Sequence, residues 1–191
     1  MNSIIALCVG HSRQVNDKPE GGAVTHDGSI NEWTWNSTMA RHIAGHLLLR
    51  RVQSVIVDRY EGRGYATSMQ WLAEHLKDRS VTAALELHFN RVPPSAAHGH
   101  EWLYWHSSKA GRRLAENLEQ EMCFGVPQIK TRGIKPKYSS DRGALFLRGT
   151  HCPAVICEPF FGSNPGDWQT AKDKKTNIAR AIAEGILEYL M

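Results

Sequence analysis

This chain is defined first by what it lacks. Its cysteines, Cys8, Cys123, Cys152 and Cys157, form no Cys-x-x-Cys pair, which removes thioredoxin-type redox chemistry and zinc ribbons. Four reduced thiols are expected, with Cys8 and Cys157 packed as small hydrophobes inside apolar runs. No apolar run approaches the ~20 residues that span a bilayer, so no membrane insertion is expected. The start, Met1 to Gly10, has no basic leader, long apolar stretch or small-residue cleavage site. Cytoplasmic synthesis without a signal peptide is the expectation. Neither standard Gly-rich phosphate loop is present, and no repeat or low-complexity tract interrupts the chain. Strong charge of one sign is also missing: 23 Lys and Arg against 19 Asp and Glu leave a net charge of +4. That mild excess suits a polyanionic partner without requiring one, and a nucleic-acid partner is not expected.

The 191 residues suffice for one domain with a sizeable core. Short apolar runs read as buried strands at Ile4 to Val9, Ser54 to Val57, Ala83 to Phe89, Glu101 to Trp105 and Ala154 to Cys157. Helical spacing of three and four falls between them. It links Met39, Ile43 and Leu47 within residues 31–50, then Tyr65, Met69, Leu72 and Leu76. It recurs in Leu114, Leu118 and Met122, and in Ile178, Ile182, Ile186 and Leu190. Alternation of this kind predicts a single α/β domain. Its sheet should be mostly parallel and twisted, of about five to six strands, with helices on both faces. Residues 10–30 and 125–150 read as loops, the second rich in Lys and Arg.

Open α/β sheets gather ligands at the carboxyl ends of their strands. His11 follows the first predicted strand, His88 ends the third and Glu158 follows the fifth, while Glu32 opens the first helix. Two imidazoles and a carboxylate suit catalytic zinc, which takes three protein ligands and leaves one position open. On that reading His11, Glu32 and His88 hold the metal, and Glu158 takes a proton from water and passes it to the leaving amine. Each residue taken singly also has an ordinary structural role open to it, such as Glu32 facing the helix dipole. Glu158 is the hardest to explain that way, because a carboxylate closing an apolar run is costly to bury unpaired.

Four segments together resemble the zinc-dependent N-acetylmuramoyl-L-alanine amidases of phage endolysins and bacterial cell-wall hydrolases. They are Cys8-Val9-Gly10-His11 followed by Gly22-Ala23-Val24; Ile30-Asn31-Glu32; Glu86-Leu87-His88-Phe89-Asn90; and Pro153 to Asn164, the most specific. Arg132-Gly133-Ile134-Lys135 and Leu147-Arg148 also look like family segments. The resemblance runs from residue 4 to the end of the chain and implies Zn²⁺ on His11, Glu32 and His88, with Glu158 catalytic. It further implies a peptidoglycan substrate, cut between N-acetylmuramic acid and L-alanine. Residues 1–191 would be the catalytic domain alone, with no separate wall-binding domain. A phage or prophage lysin, acting on the wall after release, is the implied setting. Two features depart from the family pattern: Ser12-Arg13 stands where glycines are usual, and Pro159 follows Glu158. Glu20 competes with Glu32 as the carboxylate ligand, although a helix fixes Glu32 better than a loop would fix Glu20.

Arg132, Lys135 and Arg148 are candidates for holding stem-peptide carboxylates, on charge alone. His42 and His46 stand four apart, but Ile43 occupies the place of the Glu that zinc proteases require, so an exposed helix face is expected for them. His98, Gly99, His100 and Glu101 read as surface loop. Trp33 and Trp35 could line a glycan groove, while at least one of Trp102 and Trp105 should be core. A zinc peptidase acting within the stem peptide and a non-catalytic wall-binding module are the rival readings. The oligomeric state is open.

Overall fold

A computed structural model describes residues 3–92 and 96–191. In chain order it contains β1 (Ile4–Val9), β2 (Gln14–Val15), β3 (Lys18–Pro19), α1 (Glu32–Leu49), β4 (Gln53–Val57), α2 (Tyr65–Lys77) and β5 (Ala83–Leu87). It continues with β6 (His100–Trp105), α3 (Lys109–Gly125), β7 (Thr131–Lys137), α4 (Ala144–Gly149), β8 (Ala154–Glu158), α5 (Pro165–Asp173) and α6 (Lys175–Leu190).

Six strands form one sheet in the order β4-β1-β5-β8-β6-β7, and β2 and β3 form a separate hairpin. Strands β4, β1, β5 and β8 run parallel, as do β6 and β7. One antiparallel pairing, β6 with β8, reverses the last two strands and sets Glu101 opposite Glu158. The expected single α/β domain with a mostly parallel sheet is therefore observed. Strands β1, β5 and β8 are apolar almost throughout because both of their faces are covered. Trp35, Met39, Ile43, Leu118, Met122, Ile182 and Ile186 cover one face. Tyr60, Met69, Leu72, Leu76, Phe146 and Leu147 cover the other.

Helix α1 starts where the sequence predicts, with the Asn31 side chain accepting the Thr34 N–H at 2.9 Å. The stretch 125–150 is not one long loop, as it holds β7 and α4. β7 is an edge strand bearing Arg132, Lys135, Pro136 and Lys137, so it lacks the apolar alternation that marks a buried strand. α4 spans only 6 residues, too few to show a period. Residues 10–30 likewise hold the β2–β3 hairpin, turned by Asn16 and Asp17 at φ of 51° and 59°. The third strand ends at Leu87, two residues short of the expected Phe89. His100, expected on the surface, is fully buried and accepts the Trp102 indole N–H at 3.0 Å. His42 and His46 are half-buried, not exposed. All four cysteines are free, and Cys8 and Cys157 are buried.

Candidate metal centre

Because β1, β5 and β8 point the same way, the residues that leave their ends share one edge of the sheet. Gly10 extends the ladder, donating its N–H to Leu87 O at 2.9 Å, and His11 then turns out with φ of 60°. His88 donates its backbone N–H to Cys157 O at 3.0 Å, which seats it between the ends of β1 and β8. Gly10 sits against that imidazole so closely that a Cβ would lie 2.4 Å from His88 Cε1.

Glu32, only 3% exposed, is the hub. Its Oε1 lies 2.8 Å from His88 Nδ1 and accepts the Phe89 N–H at 3.1 Å. Its Oε2 lies 3.2 Å from His11 Nε2 and accepts the Ala23 N–H at 3.1 Å. Gly22, at φ of +70°, leaves room for this meeting, since a Cβ there would lie 2.5 Å from His11 Cδ2 and 2.9 Å from Glu32 Oε2. One ligand atom from each of His11, Glu32 and His88 falls within 4.8 Å of the other two. Glu20 lies on the outer side of His11, 3.3 Å from Nδ1, and also accepts from Arg13 Nε at 2.9 Å. It is Glu32, not Glu20, that touches both imidazoles.

The electrostatics are those of an anion between two bases. Burial works against ionised Glu32, but hydrogen bonds from His11 and His88 outweigh it and bring its pKa down to about 2. Burial also opposes the charge on each histidine, yet bonding to Glu32 raises both, His88 well above the ordinary value. Glu158 moves the other way. Its Oε2 is buried without a hydrogen-bond partner. Burial, with the Glu32 and Glu101 charges adding and His88 opposing, pushes its pKa up to about 8. A buried carboxylate oxygen left unsatisfied is costly.

The proposed substrate residues separate. Arg132 Nε donates to Glu101 Oε2 at 2.9 Å, and its guanidinium lies 5.0 Å from the centre of the Phe161 ring. Asn90 Nδ2 donates to the other Glu101 oxygen at 2.8 Å, joining Arg132 to the segment that follows His88. Lys135 lies mid-strand opposite Leu103. Arg148 is exposed on α4, one residue before Gly149, whose position faces Ala73 of α2. The structure brings only Arg132 into this network. Trp35 is core, stacked edge-on with Phe160 and Trp168, and so lines no groove. Trp33 is half-buried and donates to Ser12 Oγ at 3.1 Å. Trp102 is buried, as one of its pair was expected to be.

Two carboxylates went unread in the sequence. Glu101 was read as surface, and Glu86 is 4% exposed and reaches His88 from behind. The clue to Glu86 was the one applied to Glu158, an acid set in an apolar run.

Comparison with known proteins gives the chain its relatives. No match is found among curated protein sequences. Solved structures do match in fold. The catalytic domain of CwlV, an N-acetylmuramoyl-L-alanine amidase from Bacillus (Paenibacillus) polymyxa var. colistinus, is similar with a TM-score of 0.81 at 22% identity, over 98% of each chain. The N-acetylmuramoyl-L-alanine amidase AmiC2 of Nostoc punctiforme gives a TM-score of 0.81 at 23% identity, over 100% of this chain and 98% of that one. The catalytic domain of an endolysin targeting Clostridia difficile gives 0.79 at 24% identity, over 97% of each. Residues 5–188 match the N-acetylmuramoyl-L-alanine amidase family as a whole, and the chain belongs to that family.

Proposed function

We propose that this peptidoglycan amidase is a zinc enzyme, with His11, Glu32 and His88 as ligands and Glu158 as the catalytic base. One observation carries the reading: His11, Glu32 and His88 converge at one sheet edge although they are far apart in the chain. The donor set fits. Two imidazoles and one carboxylate leave a coordination position open, as catalytic zinc requires. Bound zinc supplies Lewis acidity, which lets water ionise near pH ~7 and polarises an amide carbonyl.

The chain's own residues supply the rest. Glu32 is anchored by the backbone N–H groups of Ala23 and Phe89, so its oxygens hold their place. Glu158 takes the proton from water and returns it to the departing alanine nitrogen. Its raised pKa suits both halves of that exchange, since a base near the working pH releases what it accepts. Arg132, fixed by Glu101, offers a cation to a stem-peptide carboxylate. Action on the wall after release, as a phage or prophage lysin, suits the fold shared with an endolysin catalytic domain.

Glu158→Gln tests the assignment. Lysis of a cell-wall suspension should fall at least ~100-fold, the scale of lost acid–base catalysis, with zinc content unchanged. Normal lysis would remove Glu158 from the chemistry. Mass spectrometry of wild-type digests separates amidase from peptidase: an amidase frees intact peptides that begin at L-alanine.

A further inference from the structure

We infer that Glu86 is a positioning residue, whose carboxylate holds His88 Nε2 from the core side and so turns His88 Nδ1 toward the metal site. This rests on the zinc reading above.

The two imidazoles are held in the same way. Each has one nitrogen on Glu32 and the other on a further carboxylate. For His11 the outer partner is Glu20, 3.3 Å from Nδ1. For His88 it is Glu86, whose Oε2 lies 3.3 Å from Nε2. The two outer carboxylates differ in setting, for the Glu20 side chain is 36% exposed and shared with Arg13. Glu86 stands two residues before His88 on β5, hence on the same face of the strand. Beside it are Cys8 and Ile156, its register partners in β1 and β8. Its remaining oxygen accepts the buried Tyr60 hydroxyl at 3.4 Å.

A carboxylate in such a place is costly unless it is balanced. Among the described residues His88 is the basic side chain that pairs with Glu86, and Tyr60 supplies the hydroxyl on it. A carboxylate on the far nitrogen of a ligating imidazole fixes its tautomer and orientation and strengthens it as a donor.

The test is the zinc affinity of the purified chain, measured by competition with a chromophoric chelator. Glu86→Gln keeps size and an accepting oxygen but removes the charge. The expected result is roughly 10- to 100-fold weaker zinc binding. Unchanged affinity in folded Glu86→Gln overturns the assignment, because a purely structural residue would alter melting and not metal affinity. A second measurement needs no substitution. Nitrogen-15 shifts of the zinc-loaded chain should show His88 Nδ1 on the metal and Nε2 protonated; zinc on Nε2 overturns the proposal. Failure of the unsubstituted chain to bind zinc at all would instead bring down the zinc reading on which this one rests.

Discussion

At the scale of single residues, the site depends as much on missing atoms as on present ones. Gly10 has no unusual backbone angle to explain it; its reason is the His88 ring lying where a Cβ would go. Gly10→Ala should therefore displace that imidazole while leaving the strand intact. Zinc affinity is expected to drop by about 10-fold or more, with circular dichroism unchanged, since ligands must stay within ~0.5 Å of their working positions. Wild-type affinity in Gly10→Ala would show that the ring has slack. The residue scale is also where the sequence was most readable for chemistry. His11, His88 and Glu158 each follow an apolar run, so strand ends could be read first and side chains second. Glu101 was obscured because its role comes from a partner, Arg132, 31 positions away. Glu86 was obscured because one acid inside a strand leaves the apolar pattern intact.

At the scale of elements, the loop before α1 is what presents Ala23 and Gly22 to the site, and it is tied down from a distance. Asp27 accepts the Thr25 and Ser29 hydroxyls and the Trp168 indole N–H of α5, each at 2.7 Å. These bonds hold its carboxyl well below the ordinary acid range. The same loop donates His26 N–H to Gly162 O at 2.8 Å. Asp27→Ala should loosen residues 21–31 without unfolding the sheet. Hydrogen exchange is expected to quicken at Ala23 and its neighbours alone, with a matching loss of zinc affinity. Faster exchange throughout β1 and β5 would mean that Asp27 supports the fold and not the loop. α5 itself went unread although Asn164 and Pro165 are a cap and a first-turn proline, with Asn164 Oδ1 accepting the Gly166 and Asp167 N–H groups. The helices with long apolar stripes were plain, whereas short or polar elements such as β7, α4 and α5 carry too few core positions to announce themselves.

At the scale of the whole molecule, the buried proton on Glu158 ties the stability of the metal-free chain to pH. Glu158 titrates near 4.5 when unfolded and is pushed up to about 8 when folded. A group raised on folding contributes fully below its unfolded pKa, and that contribution is lost as pH rises through the folded value. The metal-free chain should thus lose thermal stability between about pH 5 and about pH 8.5 relative to Glu158→Gln, which has no proton to release there. Parallel melting curves across that window would contradict the raised value. Zinc should act in the opposite sense. It must displace protons from His11 and His88, both raised by Glu32, so zinc affinity should climb with pH and uptake should release protons into a weak buffer.

The reversal of β6 and β7 carries a further consequence. The residues proposed for the chemistry, His11, His88 and Glu158, come off the finishing ends of β1, β5 and β8, whereas Glu101 and Arg132 stand near the beginnings of the two reversed strands. On the proposed roles, grip and cutting are encoded in separate stretches of chain that meet only in space. A change at Arg132, exposed on the edge strand β7, would then redraw the grip for a different wall while the cutting edge keeps its geometry.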